Sequence, residues 1–82
     1  MSKDESIQLF LEALSGLKGQ EALHGFLAEI LTPKELEEIA HRHQILQLLN
    51  AGWTQRDIAA KLGVGIATVS RGARELKRRQ AS

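Results

Sequence analysis

Residues 55–72 carry the pattern of two short helices joined by a tight turn, and no other part of the chain restricts the fold as strongly. Gly63 stands where the first helix must end, because glycine readily adopts the left-handed backbone conformation that is common at helix ends. Ala59 is small enough to let a second helix cross close by. The residues predicted to face inward are Ile58, Ala59, Leu62, Val64 and Val69. The pattern therefore predicts a helix-turn-helix.

The second helix of this motif begins with a segment in which small and polar residues predominate: Ile66, Ala67, Thr68, Ser70 and Arg71. A helix-turn-helix places its second helix in the major groove of DNA, with the N-terminal residues of that helix against the base edges. The alternative is a helical hairpin with no role in nucleic-acid binding. The glycine at the turn, the small alanine before it and the side chains of the second helix together favour DNA binding.

Charge is divided unevenly along the chain, although the net charge of the whole protein is only +1. Residues 1–40 contain three lysines and eight carboxylates, giving −5, whereas residues 42–82 contain eight basic and two acidic residues, giving +6. A basic half that carries the candidate recognition helix is expected of a phosphate-binding surface. The alternative is an ordinary solvated face, but the basic excess falls on the same segment as the motif.

The rest of the chain predicts further helices. Apolar residues recur at helical spacing within 7–17, 23–31 and 36–49. The segment 32–35 matches a capping box with proline at the first helical position, and Thr54 is placed to cap the next helix. Because no segment alternates with a period of two, the predicted fold class is all-α, a five-helix domain with a helix-turn-helix.

A chain of 82 residues is long enough for one domain with a modest core. We therefore assign 1–82 to a single helical DNA-binding domain, with dimerisation helices in 4–31, a core helix in 33–51, and the helix-turn-helix with a basic tail in 54–79. The first two helices carry broad apolar stripes that a small monomer has little surface to bury, which favours a homodimer. The alternative is that they cap a monomeric core.

Several classes of protein are disfavoured by what the sequence lacks. It contains no cysteine, and its three histidines show no metal-ligand spacing, so neither a disulfide framework nor a metal site is predicted. No nucleophile is matched with a base, so an enzyme is not expected. The sequence shows no signal peptide and no apolar run of membrane-spanning length, which predicts a cytoplasmic protein without a membrane partner.

A set of residues around the motif carries a more specific pattern: Leu31-Thr32-Pro33, Arg42, Thr54-Gln55-Arg56, the run from Gly65 to Gly72, and Leu76-Lys77. Over roughly residues 23–77 the chain resembles the bacterial tryptophan repressor family. The resemblance implies an intertwined homodimer that takes L-tryptophan as corepressor and no other cofactor. The tryptophan-bound dimer would then bind double-stranded operator DNA of tryptophan biosynthesis or transport genes at the bacterial nucleoid. Tryptophan repressors are themselves among the proteins that define helix-turn-helix docking.

The resemblance also implies which residues hold the ligand. Arg42 and Arg71 would stack on the two faces of the indole, and Gly72 would lie against its ring. The ligand carboxylate would be held by Arg71 and Thr32. The ammonium group would contact the main-chain carbonyls of Glu29 and Leu31.

The same resemblance implies a DNA-facing surface that is made of Gln55, Arg56, Gly65, Ile66, Ala67, Thr68 and Ser70. The family continues into a further C-terminal helix that packs in the dimer, where this chain has a basic tail, residues 77–82, with three cationic side chains. This tail is predicted to contact phosphate through Lys77 and Arg78.

Two positions leave it undecided whether the chain binds tryptophan. Glu75 stands where the family has a small hydroxyl near the ligand ammonium, and it would either strengthen the hold on that group or pair with Arg71 and close the site. Gly72 stands where an ordinary helix-turn-helix has an apolar side chain that packs the second helix on the core. The glycine would either leave a gap for a planar ring bearing a carboxylate or permit close helix crossing.

Three functions therefore stay open. The first is a tryptophan-gated repressor, and the second is a DNA-binding regulator on the same scaffold that tryptophan does not gate. The third is a helical protein-interaction module in which the first two helices bind a partner. Salt-dependent DNA binding separates the third function from the others, and a tryptophan titration separates the first two.

Overall fold

The computed structural model describes residues 1–81 and contains five α-helices, with no strand in that part of the chain. In chain order they are α1 (Lys3–Ser15), α2 (Gln20–Ile30), α3 (Pro33–Asn50), α4 (Gln55–Leu62) and α5 (Ile66–Ala81). The all-α, five-helix prediction is confirmed. The basic tail continues the second helix of the motif as far as Ala81. Ser82, the last residue of the predicted domain and tail, lies outside the described residues.

Two helix starts follow the predicted capping chemistry. Before α3, the Thr32 hydroxyl accepts a hydrogen bond from the Glu35 N–H at 3.1 Å, and the Glu35 carboxylate accepts one from the Thr32 N–H at 2.8 Å. Before α4, the Thr54 hydroxyl accepts a hydrogen bond from the Asp57 N–H at 3.1 Å. These bonds satisfy backbone donors that a helix start otherwise leaves without partners. The capping box and the Thr54 cap are therefore confirmed.

The chain divides into two compact units, of which the first is Met1–Leu36. Within this unit α1 and α2 meet at Phe10 and Phe26, whose ring centroids lie 6.0 Å apart. No residue of either helix, both described in full, is buried. The large apolar side chains that these helices expose are Ile7, Leu9, Phe10, Leu11, Leu23 and Ile30. The first unit therefore carries apolar surface that it does not cover itself.

The second unit, Glu37–Ser82, holds the buried core of the described chain. The buried residues are Ile45 from α3, Ile58 and Ala59 from α4, and Val69 from α5. Those that pack against them are Leu48, Leu49, Leu62 and Val64. Every residue that the helix-turn-helix pattern placed inward belongs to this core or packs on it. The core therefore holds both helices of the motif against α3.

Candidate nucleic-acid interface and ligand site

The turn between α4 and α5 is fixed by Gly63. Its backbone lies at φ 68° and ψ 33°, the left-handed conformation that the sequence predicts, and its N–H donates to the carbonyl of Ala59. The N–H of Val64 donates to the same carbonyl at 3.1 Å. A residue with a Cβ atom is strained at this φ, so the turn that leads into α5 depends on glycine.

The residues that the resemblance assigns to DNA lie at the starts of α4 and α5. The exposed members are Gln55, Arg56, Gly65, Ile66 and Ala67, and the half-buried ones are Thr68 and Ser70. Ile66 is 52% exposed, which is high for a large apolar side chain at the start of a packed helix. The first turn of α5 contains no acidic residue, and its backbone N–H groups give that end of the helix a partial positive charge. This surface suits a negatively charged partner.

Two of these residues are hydrogen-bonded to each other. The Ser70 hydroxyl donates to Oε1 of Gln55 at 2.7 Å, which joins α5 to the first turn of α4. Because Oε1 is held in this way, the Nε2 amide of Gln55 keeps its two donor hydrogens for other partners. Ser70 therefore orients Gln55 within the protein, a role that the sequence analysis did not assign to it.

The C-terminal part of α5 carries the basic side chains and one carboxylate. Lys77 and Arg78, the residues predicted to contact phosphate, are exposed. The Glu75 carboxylate accepts hydrogen bonds from Nε of Arg78 at 3.2 Å and from its Nη2, and it lies 3.5 Å from Nε of Arg79. The bond from Arg78 lowers the pKa of Glu75 below its usual value, and the same bond raises the pKa of Arg78. One carboxylate thus serves two arginines.

Within residues 1–81 the ion pairs of Glu75 are with Arg78 and Arg79, and not with Arg71. The helix favours this choice, because an acidic residue four positions before a basic one pairs better than the reverse order. The sequence pattern did not identify Arg78 and Arg79 as partners of Glu75, although their positions three and four residues after it are typical of helical ion pairs. The pair that would close the ligand site is not the one formed in this structure.

Gly72 lies directly against α3. A Cβ atom added at Gly72 would be 2.9 Å from Cγ2 of Ile45, which is only 1% exposed. The space beside the glycine is therefore filled by the core, so Gly72 permits a close helix crossing and leaves no gap on this side. The sequence pattern placed Ile45 in the core helix but not against Gly72, because no local pattern connects two residues so far apart in the chain.

The contact between Ile45 and Gly72 also brings together the helix segments that carry two predicted ligand residues. Arg42 lies one turn before Ile45 on α3, and residues three apart on a helix are neighbours on its surface. Arg71 directly precedes Gly72 on α5. Both arginines are exposed. The second unit therefore places Arg42 and Arg71 on the two helix segments that meet at this crossing.

The remaining predicted ligand residues Glu29, Leu31 and Thr32 belong to the first unit. Leu31 ends α2 in an extended conformation, with its N–H donating to the carbonyl of Leu27 at 2.8 Å. The Thr32 hydroxyl accepts the capping bond from the Glu35 N–H. The hydrogen bond from the Thr32 N–H lowers the pKa of Glu35 below its usual value. The predicted ligand set is thus divided between the two units.

In residues 1–81 no group of three or more histidine and carboxylate side chains comes together in a way that could hold a metal ion. No helix of that part of the chain is long and apolar enough to cross a membrane.

Comparison with known sequences decides the family. The sequence profile described as Trp repressor protein matches residues 5–82, almost the whole chain. The chain belongs to the Trp repressor family. Proteins of this family are transcription regulators and not enzymes, which confirms the expectation drawn from the absence of a nucleophile with a base.

Three relatives illustrate the range of similarity within the Trp repressor family, and each carries the name Trp operon repressor homolog. The Chlamydia caviae protein is 49% identical over 69 residues, which cover 83% of this chain and 68% of the relative. The Vibrio cholerae protein is 40% identical over 73 residues, covering 88% and 71%. The Xylella fastidiosa protein is 33% identical over 78 residues, covering 94% and 85%. No solved structure matches the chain.

Proposed function

We propose that this member of the Trp repressor family represses transcription by binding double-stranded operator DNA through α4 and α5. In this proposal the protein is a homodimer, L-tryptophan is its corepressor, and it acts in the bacterial cytoplasm on genes of tryptophan biosynthesis or transport. The observation that carries the proposal is the exposed start of α5, from Gly65 to Ala67, behind a glycine turn in a chain of this family.

DNA contacts are assigned by the chemistry of each exposed side chain. Arg56, Lys77 and Arg78 are exposed cations suited to phosphates, which bind without regard to sequence. Ile66 and Ala67 are exposed apolar side chains suited to the methyl group of thymine in the major groove. Phosphate contacts would supply most of the affinity, and the first turn of α5 would supply the discrimination between sequences.

Dimerisation is assigned to residues 4–31 because α1 and α2 bury none of their residues and expose a row of large apolar side chains. A second copy of the chain would cover this surface. The core helix in 33–51 would then support the helix-turn-helix and basic tail in 54–79, so that 1–82 acts as one DNA-binding domain.

The tryptophan site is assigned to the residues that the family pattern supplies. Arg42 and Arg71 would stack on the indole, and Arg71 with the Thr32 hydroxyl would hold the carboxylate. The pairing of Glu75 with Arg78 and Arg79 supports this assignment, because Arg71 is not engaged by that carboxylate. The ligand ring would lie against Gly72. The ligand ammonium would bind the main-chain carbonyls of Glu29 and Leu31. It would also bind the carboxylate of Glu75 once that carboxylate has separated from Arg78 and Arg79.

A second candidate function is favoured by the contact between Gly72 and Ile45. That contact gives Gly72 a packing role that needs no ligand, so the glycine alone does not require a tryptophan site. The second candidate is a DNA-binding regulator on the same scaffold that tryptophan does not gate.

Selection from a random-sequence duplex library, with and without L-tryptophan, tests the proposal. We expect a preferred sequence to be enriched only with tryptophan, and log K for that duplex to fall by about 0.9 per unit of log salt for each phosphate contacted. Ala67→Asp should abolish binding by placing a carboxylate against the duplex, whereas Ala40→Asp on the exposed part of α3 should not. Enrichment of the same sequence with and without tryptophan supports the second candidate. If no sequence is enriched in either condition, the result favours the protein-interaction module.

A further inference from the structure

Glu75 is the only carboxylate in the segment 71–79, which otherwise carries five basic side chains. Its side chain is 45% exposed, and those of Arg78 and Arg79 are 73% and 70% exposed. The carboxylate accepts two hydrogen bonds from the Arg78 guanidinium and lies 3.5 Å from Nε of Arg79. A single acidic group therefore engages both arginines at the basic end of α5.

A guanidinium group recognises carboxylate and phosphate with the same fork of N–H donors. The donors of Arg78 that bind Glu75 are therefore donors that a DNA phosphate would use. An exposed ion pair contributes little stability, so a phosphate can replace the carboxylate at modest cost. The replaced carboxylate would stay close to the phosphate and repel it.

We propose that Glu75 is an internal competitor of the DNA phosphates for Arg78 and Arg79, and that it lowers the affinity of α5 for any duplex regardless of sequence. This inference rests on the proposed DNA binding. Because the competition concerns phosphate alone, it weakens binding to preferred and unrelated duplexes by the same factor. The contacts at the start of α5 and the corepressor then decide where the protein stays bound.

The test compares Glu75→Gln with Glu38→Gln in the 82-residue chain. Glutamine keeps the size and helix preference of glutamate but cannot compete as an anion. Glu38 is exposed on α3 and forms no ion pair within residues 1–81, so its variant raises the net charge equally without releasing an arginine. Circular dichroism establishes that both variants keep the helical fold.

Fluorescence anisotropy with a short labelled duplex of random sequence measures affinity between about 50 and 200 mM salt. We expect Glu75→Gln to bind about two- to fivefold more tightly than Glu38→Gln, as the release of an exposed ion pair allows. The salt dependence should also become steeper. In an Arg78→Gln/Arg79→Gln background, the added Glu75→Gln change should give no gain beyond that of Glu38→Gln.

Two results would overturn this inference without affecting the proposed DNA binding. One is equal duplex affinity of Glu75→Gln and Glu38→Gln, and the other is a gain in affinity from Glu75→Gln that persists when both arginines are replaced. In either case the wild-type protein still binds the duplex. A wild-type protein that shows no salt-dependent DNA binding instead overturns the proposed function, and this inference with it.

Discussion

Gly72 faces the Cγ2 methyl of Ile45 so closely that a Cβ atom added to the glycine would lie 2.9 Å from it. Carbon atoms in van der Waals contact normally lie about 3.5–4.0 Å apart, so any side chain at this position must displace part of the core. Ile45 is branched at Cβ and fully buried, and it has little freedom to move aside.

We therefore expect Gly72→Ala to destabilise the protein, despite the higher helix propensity of alanine. The propensity gain is about 1 kcal/mol and overpacking a core costs about 1–3 kcal/mol. Because the buried Ile45 cannot easily move aside, we expect the upper part of that cost and a net loss of about 1–2 kcal/mol. Gly72→Leu should lose more. Urea denaturation measures both, and an alanine variant as stable as the wild type would contradict the expectation.

A second substitution at Ile45 tests whether the loss of stability comes from the contact with its Cγ2 methyl group. Ile45→Leu removes the methyl group that the new Cβ meets while conserving volume, so it should recover stability in the Gly72→Ala background. Ile45→Val retains that methyl group and should not. A double-mutant cycle measures the interaction between the two sites.

Ser70 should act on DNA binding through Gln55. Ser70→Ala removes the hydroxyl that holds Oε1 of Gln55 at 2.7 Å, and loss of one neutral hydrogen bond predicts an affinity loss of about three- to tenfold. Ser70→Thr keeps the hydroxyl and serves as the control. If Ser70 acts through Gln55, then Ser70→Ala should add nothing to Gln55→Ala in anisotropy titrations. Additive losses would instead assign Ser70 a separate contact with DNA.

Substitution of the apolar surface of α1 should prevent self-association without unfolding the chain. Ile7 is 57% exposed, so Ile7→Asp buries no charge within one chain but places one in the proposed dimer interface. Sedimentation should show a monomer for this variant and a dimer for the wild type. Ser6→Asp adds the same charge at a polar position of the same helix and should remain a dimer. A wild-type protein that is monomeric at all concentrations contradicts the assignment of 4–31.

The capping box before α3 should make stability sensitive to acid. The hydrogen bond from the Thr32 N–H lowers the pKa of Glu35 in the folded chain, below its ordinary value of 4.5. A lowered folded pKa means that the stabilisation is complete above the unfolded value and is lost as the pH falls through the folded value. Glu35→Gln keeps the capping geometry but cannot titrate. Its unfolding free energy should therefore fall less than that of the wild type when denaturation is repeated at decreasing pH.

Local chemistry made much of the fold predictable. The Thr54 cap and the left-handed Gly63 each depend on residues within one turn of sequence, and both were predicted correctly. The role of Gly72 was undecided, because it depends on Ile45, which only the folded chain brings near. The pairing of Glu75 with Arg78 and Arg79 was missed, since only Arg71 and the ligand ammonium were considered as its partners. The site residues taken from the family resemblance stay predictions that the experiments above address.

The largest fully buried side chains among the described residues, Ile45, Ile58 and Val69, are all branched at Cβ and come from three different helices. Such side chains occupy essentially one χ1 rotamer in a helix, so side chains of fixed conformation set the spacing of the helices. An unbranched replacement of equal volume would keep the protein folded but would let the recognition helix sample several positions. The accuracy with which a DNA sequence is read would then decline before the melting temperature does.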